Sequence, residues 1–81
     1  MKNLNNEIFY CTTDLSLAGA LLSYYPLSNL NLENPKKAVF IFKKDKKFDL
    51  AIEKYWHGDL RVDPRQYFNN LKMLKSRIHN Q

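Results

Sequence analysis

Six lysines fall between residues 36 and 47, at Lys36, Lys37, Lys43, Lys44, Lys46 and Lys47, against one acid, Asp45. A cluster of ammonium groups either holds an external anion or solvates a surface. A second basic group follows, where Arg65, Lys72, Lys75 and Arg77 meet no acid after Asp63. On a helix, Arg65, Lys72 and His79 recur at seven-residue steps with Lys75 beside them. Such a stripe can lie along phosphates without reading bases. Plainer readings stand beside both groups. Lysines guard strand edges, and cations are favoured near a helix C-terminus. Lys46 and Lys47, however, open a helix, where the dipole disfavours cations, and that placement favours an external anion.

Other chemistry has less material. Cys11, His57 and His79 lie far apart, and a structural zinc takes about four ligands, so no metal is expected. His57 has Asp59 nearby but no serine partner. Cys11 alternates with Phe9 and reads as a buried strand thiol. The acids show no paired-carboxylate spacing, and two glycines cannot build a phosphate-cradling loop. Neither catalysis nor a cofactor is expected. Eleven residues are aromatic, five Tyr, five Phe and one Trp. Single-strand binders stack bases on exposed rings set among cations, but a small core also needs large side chains. Most rings fall at core spacing, and Tyr10, Tyr25 and Tyr67 are the ones expected to reach water. Leu50 points away from the apolar face of its helix, which suits contact with a protein partner. A single exposed leucine is also ordinary.

These residues are positioned by a short series of elements. Residues 8–12 are β-branched and aromatic and read as a strand. Thr12, Thr13 and Asp14 offer N-caps for a helix over 14–25, apolar on most sides, which stops before Pro26. Residues 26–37 are rich in Asn and Pro and read as a loop. Residues 38–43 form the clearest strand, and their unbroken apolar run predicts cover on both faces. Phe48, Ala51, Ile52, Tyr55 and Trp56 share one face of a helix over 46–57, ended by Gly58. Asp63 and Pro64 start a third helix over 64–79, with Tyr67, Phe68, Leu71, Leu74 and Ile78 on its apolar face.

The order β-α-β-α-α predicts a small α/β domain whose two strands are parallel across a helical crossover. Two strands make a weak sheet, and an open apolar edge invites pairing. A homodimer sharing a four-stranded sheet is therefore expected. The chain, 81 residues with 44% hydrophobic and 26% charged residues and net charge +5, fits one domain spanning 1–81 with its ordered core at about 7–79. The composition excludes a disordered tail or a low-complexity linker. One cysteine excludes a disulfide framework and suits a cytoplasmic protein. The N-terminal residues lack the apolar stretch of a secretory signal, and no run reaches the ~20 apolar residues of a membrane span.

Two blocks carry a resemblance: T-T-D-L-x-L-A, from Thr12 to Ala18, and D-P-R-x-Y-F-x-x-L-K-x-L-K-S-R-I, from Asp63 to Ile78. With them the chain resembles, from about Glu7 to Ile78, a family of short prokaryotic and phage-borne proteins described as a domain of unknown function. The resemblance implies a small α/β unit, often near mobile elements, with no established reaction. The functional expectation is thus a non-enzymatic accessory protein that binds nucleic acid, DNA or RNA, through its basic patches with little sequence specificity. The alternative is a protein–protein adaptor or inhibitor that sets a basic surface against an acidic partner, with Leu50 in the contact.

Overall fold

The computed structural model describes residues 8–34 and 36–79. Glu7, the expected first residue of the ordered core, lies outside them. The elements are β1 (Phe9–Thr12), α1 (Leu15–Leu21), β2 (Leu27–Asn31), β3 (Val39–Lys43), α2 (Phe48–His57) and α3 (Pro64–His79).

Local chemistry explains most boundaries. The Asp14 carboxylate accepts from the Leu17 N–H at 3.2 Å and starts α1. The Ser23 and Tyr24 N–H groups then bond to carbonyls three residues back. This tightening ends the helix four residues short of the expected Tyr25, ahead of Pro26. Asp45 accepts from the Lys47 N–H at 2.9 Å, and α2 begins at Phe48, two residues after the expected start. Gly58 takes the left-handed conformation, φ 78°, beyond the end of α2. Asp63 accepts from the Gln66 N–H at 2.9 Å and caps α3, which spans the residues that its periodicity predicts.

The sheet corrects the expected architecture. It has three strands in the order β1-β3-β2, every pair antiparallel. Residues 27–31, expected to be loop, form β2. Its apolar spacing hides it: Leu27 pairs with Phe42 and Leu30 with Phe40, with an irregularity between Leu27 and Asn29. The extra residue makes two inward leucines fall three apart instead of two, which erases the strand period. β1 and β2 both run against β3, so they are parallel to each other, and α1 is the crossover between them. The short 32–38 connection then turns the chain back and puts β3 in the gap, because a connection that short allows only an antiparallel neighbour. β3 is thus central, and β1 and β2 form the two edges of the sheet.

Alternation along β3 divides the sheet into two faces. Phe40 and Phe42 are buried on the inner face. There they join Leu17, Ala18 and Leu21 of α1, Phe48 of α2 and Leu74 of α3 in one core. Phe48 also packs its ring against Tyr10, Tyr25 and Phe42, with centroids 5.3, 4.9 and 6.3 Å away. The register puts Phe9, Cys11, Val39 and Ile41 on the outer face. None of these joins the core, so among the described residues the expected cover on both faces of β3 is not found. Cys11, expected to be buried, is exposed there.

Candidate functional site

Three acids of this small domain are committed to its own backbone. Asp14, Asp45 and Asp63 each accept from backbone N–H groups at turns and helix starts. Asp49 takes Lys44 in an ion pair of 3.2 Å. Apart from Lys44 and Arg77, the lysines and arginines among the described residues make no ion pair. Their charge is left for solvent or for a partner.

The expected basic residues separate into three places. Lys36 and Lys37 follow the turn held by Asn34, whose carboxamide oxygen accepts from the Lys36 N–H. They share a depression with Ile78 and Leu15, and so lie by the C-terminal end of α3. Lys43 stands exposed on the outer sheet face at the far end of β3. Lys44 turns inward to Asp49. Lys46 and Lys47 are exposed at the start of α2. One lysine cluster in sequence is therefore divided between the two ends of a strand.

Arg65, Lys72 and Lys75 are exposed along one flank of α3. The opposite flank is held to α1. Asn70 is buried and donates to the Gly19 carbonyl at 2.9 Å. Tyr67 donates to the Ser16 carbonyl at 3.2 Å. Leu71 closes on Gly19 so tightly that a Cβ there would meet it at 2.7 Å. That packing turns Phe68 outward. Phe68 is 59% exposed, and the Lys72 ammonium lies 5.0 Å from its ring centroid. An open aromatic ring is set among three cations on a helix with no acid.

The rings are not distributed as their spacing predicts. Tyr10, Tyr25 and Tyr67, the rings whose hydroxyls tolerate water, are half-buried, and the Tyr25 and Tyr67 hydroxyls make exposed hydrogen bonds. Burial, with Asp45 accepting the Tyr25 hydroxyl hydrogen at 2.9 Å, pushes the Tyr25 hydroxyl above its ordinary range. Tyr10 and Tyr55 are pushed up in the same direction, first by burial and then by the negative charge of Asp14. Trp56, placed on the core face of its helix by period, is instead 62% exposed and packs edge-on against Tyr55.

A second feature forms where chain segments distant in sequence meet. The turn after α1, the solvent side of α2 and the 59–61 connector border an open groove of about 250 Å³. Leu50, expected to be exposed, is 52% exposed and lies in it beside Tyr24. Lys54 and Arg61, not among the basic residues that the sequence offers for binding, stand with Lys47 around it. Only their convergence in space marks them. Among the described residues no group of three or more His, Cys, Asp or Glu side chains is placed to hold a metal ion. None of the described helices is long and apolar enough to cross a membrane.

These features define a small two-layer α/β module, its antiparallel sheet packed on one face by helices and its cations largely unneutralised. The family model for a domain of unknown function (DUF5659) matches residues 7–80, and the chain belongs to that family. No curated protein and no solved structure matches it.

Proposed function

We propose that this protein is a non-catalytic module that binds single-stranded nucleic acid along α3, with little preference for sequence. The observation that supports this reading is Phe68, exposed among Arg65, Lys72 and Lys75 on an acid-free helix. Cations along a helix of ~24 Å neutralise successive phosphates. An open ring stacks any base, because every base has a π-face. Nothing in this chemistry distinguishes DNA from RNA. Lys36 and Lys37, at the C-terminal end of the same helix, extend the basic track. The single exposed thiol of Cys11 suits a reducing cytoplasm. An accessory role near mobile elements is what the resemblance implies.

Fluorescence anisotropy with labelled single strands and duplexes, at about 50 and 200 mM salt, tests the reading. Three phosphate contacts on a single strand predict an affinity loss of about twentyfold between those salts, and five predict about a hundredfold. The Lys72→Glu/Lys75→Glu variant should lose most of the binding. Absence of binding at low salt, or binding indifferent to salt, would overturn the proposal.

A further inference from the structure

We infer that the groove beside Leu50 is a second, separate docking site, for a peptide segment that inserts one apolar side chain between flanking carboxylates. The argument starts from spacing on α2. Lys47, Leu50 and Lys54 stand at i, i+3 and i+7, so they share one side of the helix. Leu60 and Arg61 reach the same place through the connector. The Tyr24 hydroxyl donates to the Arg61 carbonyl and ties that connector to the turn after α1. The groove is therefore built from three segments that are bonded together, and α3 contributes none of its lining.

Shape and charge specify the occupant. A volume of about 250 Å³ falls below the ~300–1,000 Å³ of pockets that enclose drug-sized ligands. It suits a single anchoring side chain, the way peptides engage shallow grooves. The floor is aliphatic, with Leu50, Ala51 and Leu60. A nucleobase on that floor would lay its polar edges against Leu50, Ala51 and Leu60, which cannot bond them. The rim carries Lys47, Lys54 and Arg61 against one acid, Asp59, and none of the four makes an ion pair. Complementarity calls for an apolar side chain, leucine or an aromatic, with aspartates or glutamates on either side.

The experiment is a selection of displayed random peptides on the immobilised full chain, counter-selected on its Leu50→Asp variant. Enriched peptides should carry Leu, Phe or Trp beside Asp or Glu. They should bind the wild type at least about tenfold tighter than Leu50→Asp or Lys47→Glu/Lys54→Glu, with unchanged circular dichroism. The Lys54→Glu single variant, on an exposed helix side, serves if Leu50→Asp does not fold. The Lys72→Glu/Lys75→Glu variant should bind the selected peptides like the wild type, which separates this site from the one on α3. Three results would overturn the inference: no enrichment, enrichment without acidic residues, or binding indifferent to Leu50. A labelled single strand that displaces the peptides and is itself weakened by Leu50→Asp would also overturn it, since the groove would then belong to the nucleic-acid surface.

Discussion

Asn70 donates its side-chain amide to the carbonyl of Gly19 at 2.9 Å across a separation of 51 residues. The Ser23 N–H, which would continue the α1 ladder to Gly19, bonds instead to Ala20. The Gly19 carbonyl is thus one of the acceptors that a helix end leaves over, and α3 supplies its donor. Asn70 also donates to the Ser23 hydroxyl at 3.3 Å and accepts from Gln66 at 2.8 Å. This bond fixes how α3 rotates on α1, and that rotation decides which α3 side chains face water.

The first prediction concerns this bond. Asn70→Ala leaves a buried carbonyl unpartnered, at a cost of about 1–3 kcal/mol. In a domain of this size each kcal/mol lowers the melting temperature by about 4–8 °C. Thermal melts followed by circular dichroism should show a drop in that range. Asn70→Asp should do worse at neutral pH, because it sets a charged acceptor against the carbonyl. A melting temperature equal to that of wild type would mean that the contact contributes nothing.

Gly58 permits a purely conformational test. It sits at φ 78°, and a Cβ there would find no neighbour within 4 Å. Gly58→Ala therefore costs only the left-handed backbone, about 1–2 kcal/mol. Gly58→Asn should recover part of that loss. Urea unfolding of the two variants checks the order, and equal stability for Ala and Gly would refute it.

Alkaline pH should weaken the fold. Tyr10, Tyr25 and Tyr55 are raised above their ordinary value of 10.0, burial being the largest cause in each. A raised tyrosine stays protonated in the folded chain where the unfolded chain has ionised, so the folded state binds more protons. The stability these groups contribute is full below pH 10 and is lost as pH climbs from 10 through the raised values. Urea midpoints measured across that interval should fall, and Tyr25→Phe should flatten the decline. A Tyr25→Phe variant with the wild-type slope would count against the assignment for that residue.

Phe68 should separate stability from binding. Its ring is largely in water, so Phe68→Ala should move stability by no more than about 0.5 kcal/mol. Loss of one stacked base should weaken single-strand affinity by about tenfold. Melting and anisotropy on the same preparation give both numbers. A large loss of stability with unchanged affinity would make Phe68 a structural residue.

The sequence by itself determined the features that depend on neighbours along the chain. A cap for α1 within Thr12 to Asp14, the Asp63 cap, the Gly58 stop, the span of α3, the strand at Phe40 and Phe42 and the outward Leu50 are all local, set by hydrogen bonds and periods within a few residues. Only the tertiary structure decided the rest. Leu27 and Leu30 read as loop because a bulge hides their shared face, and that one missed strand changed the sheet from parallel to antiparallel. Phe68 lies at the margin of an apolar stripe, and its exposure follows from the turn of α3 that Asn70 and Gly19 set. Lys47, Lys54 and Arg61 gather with Tyr24 and Leu50 because the Tyr24 hydroxyl holds the connector against the turn after α1, beside α2, and pairings at such distances have no local period to announce them.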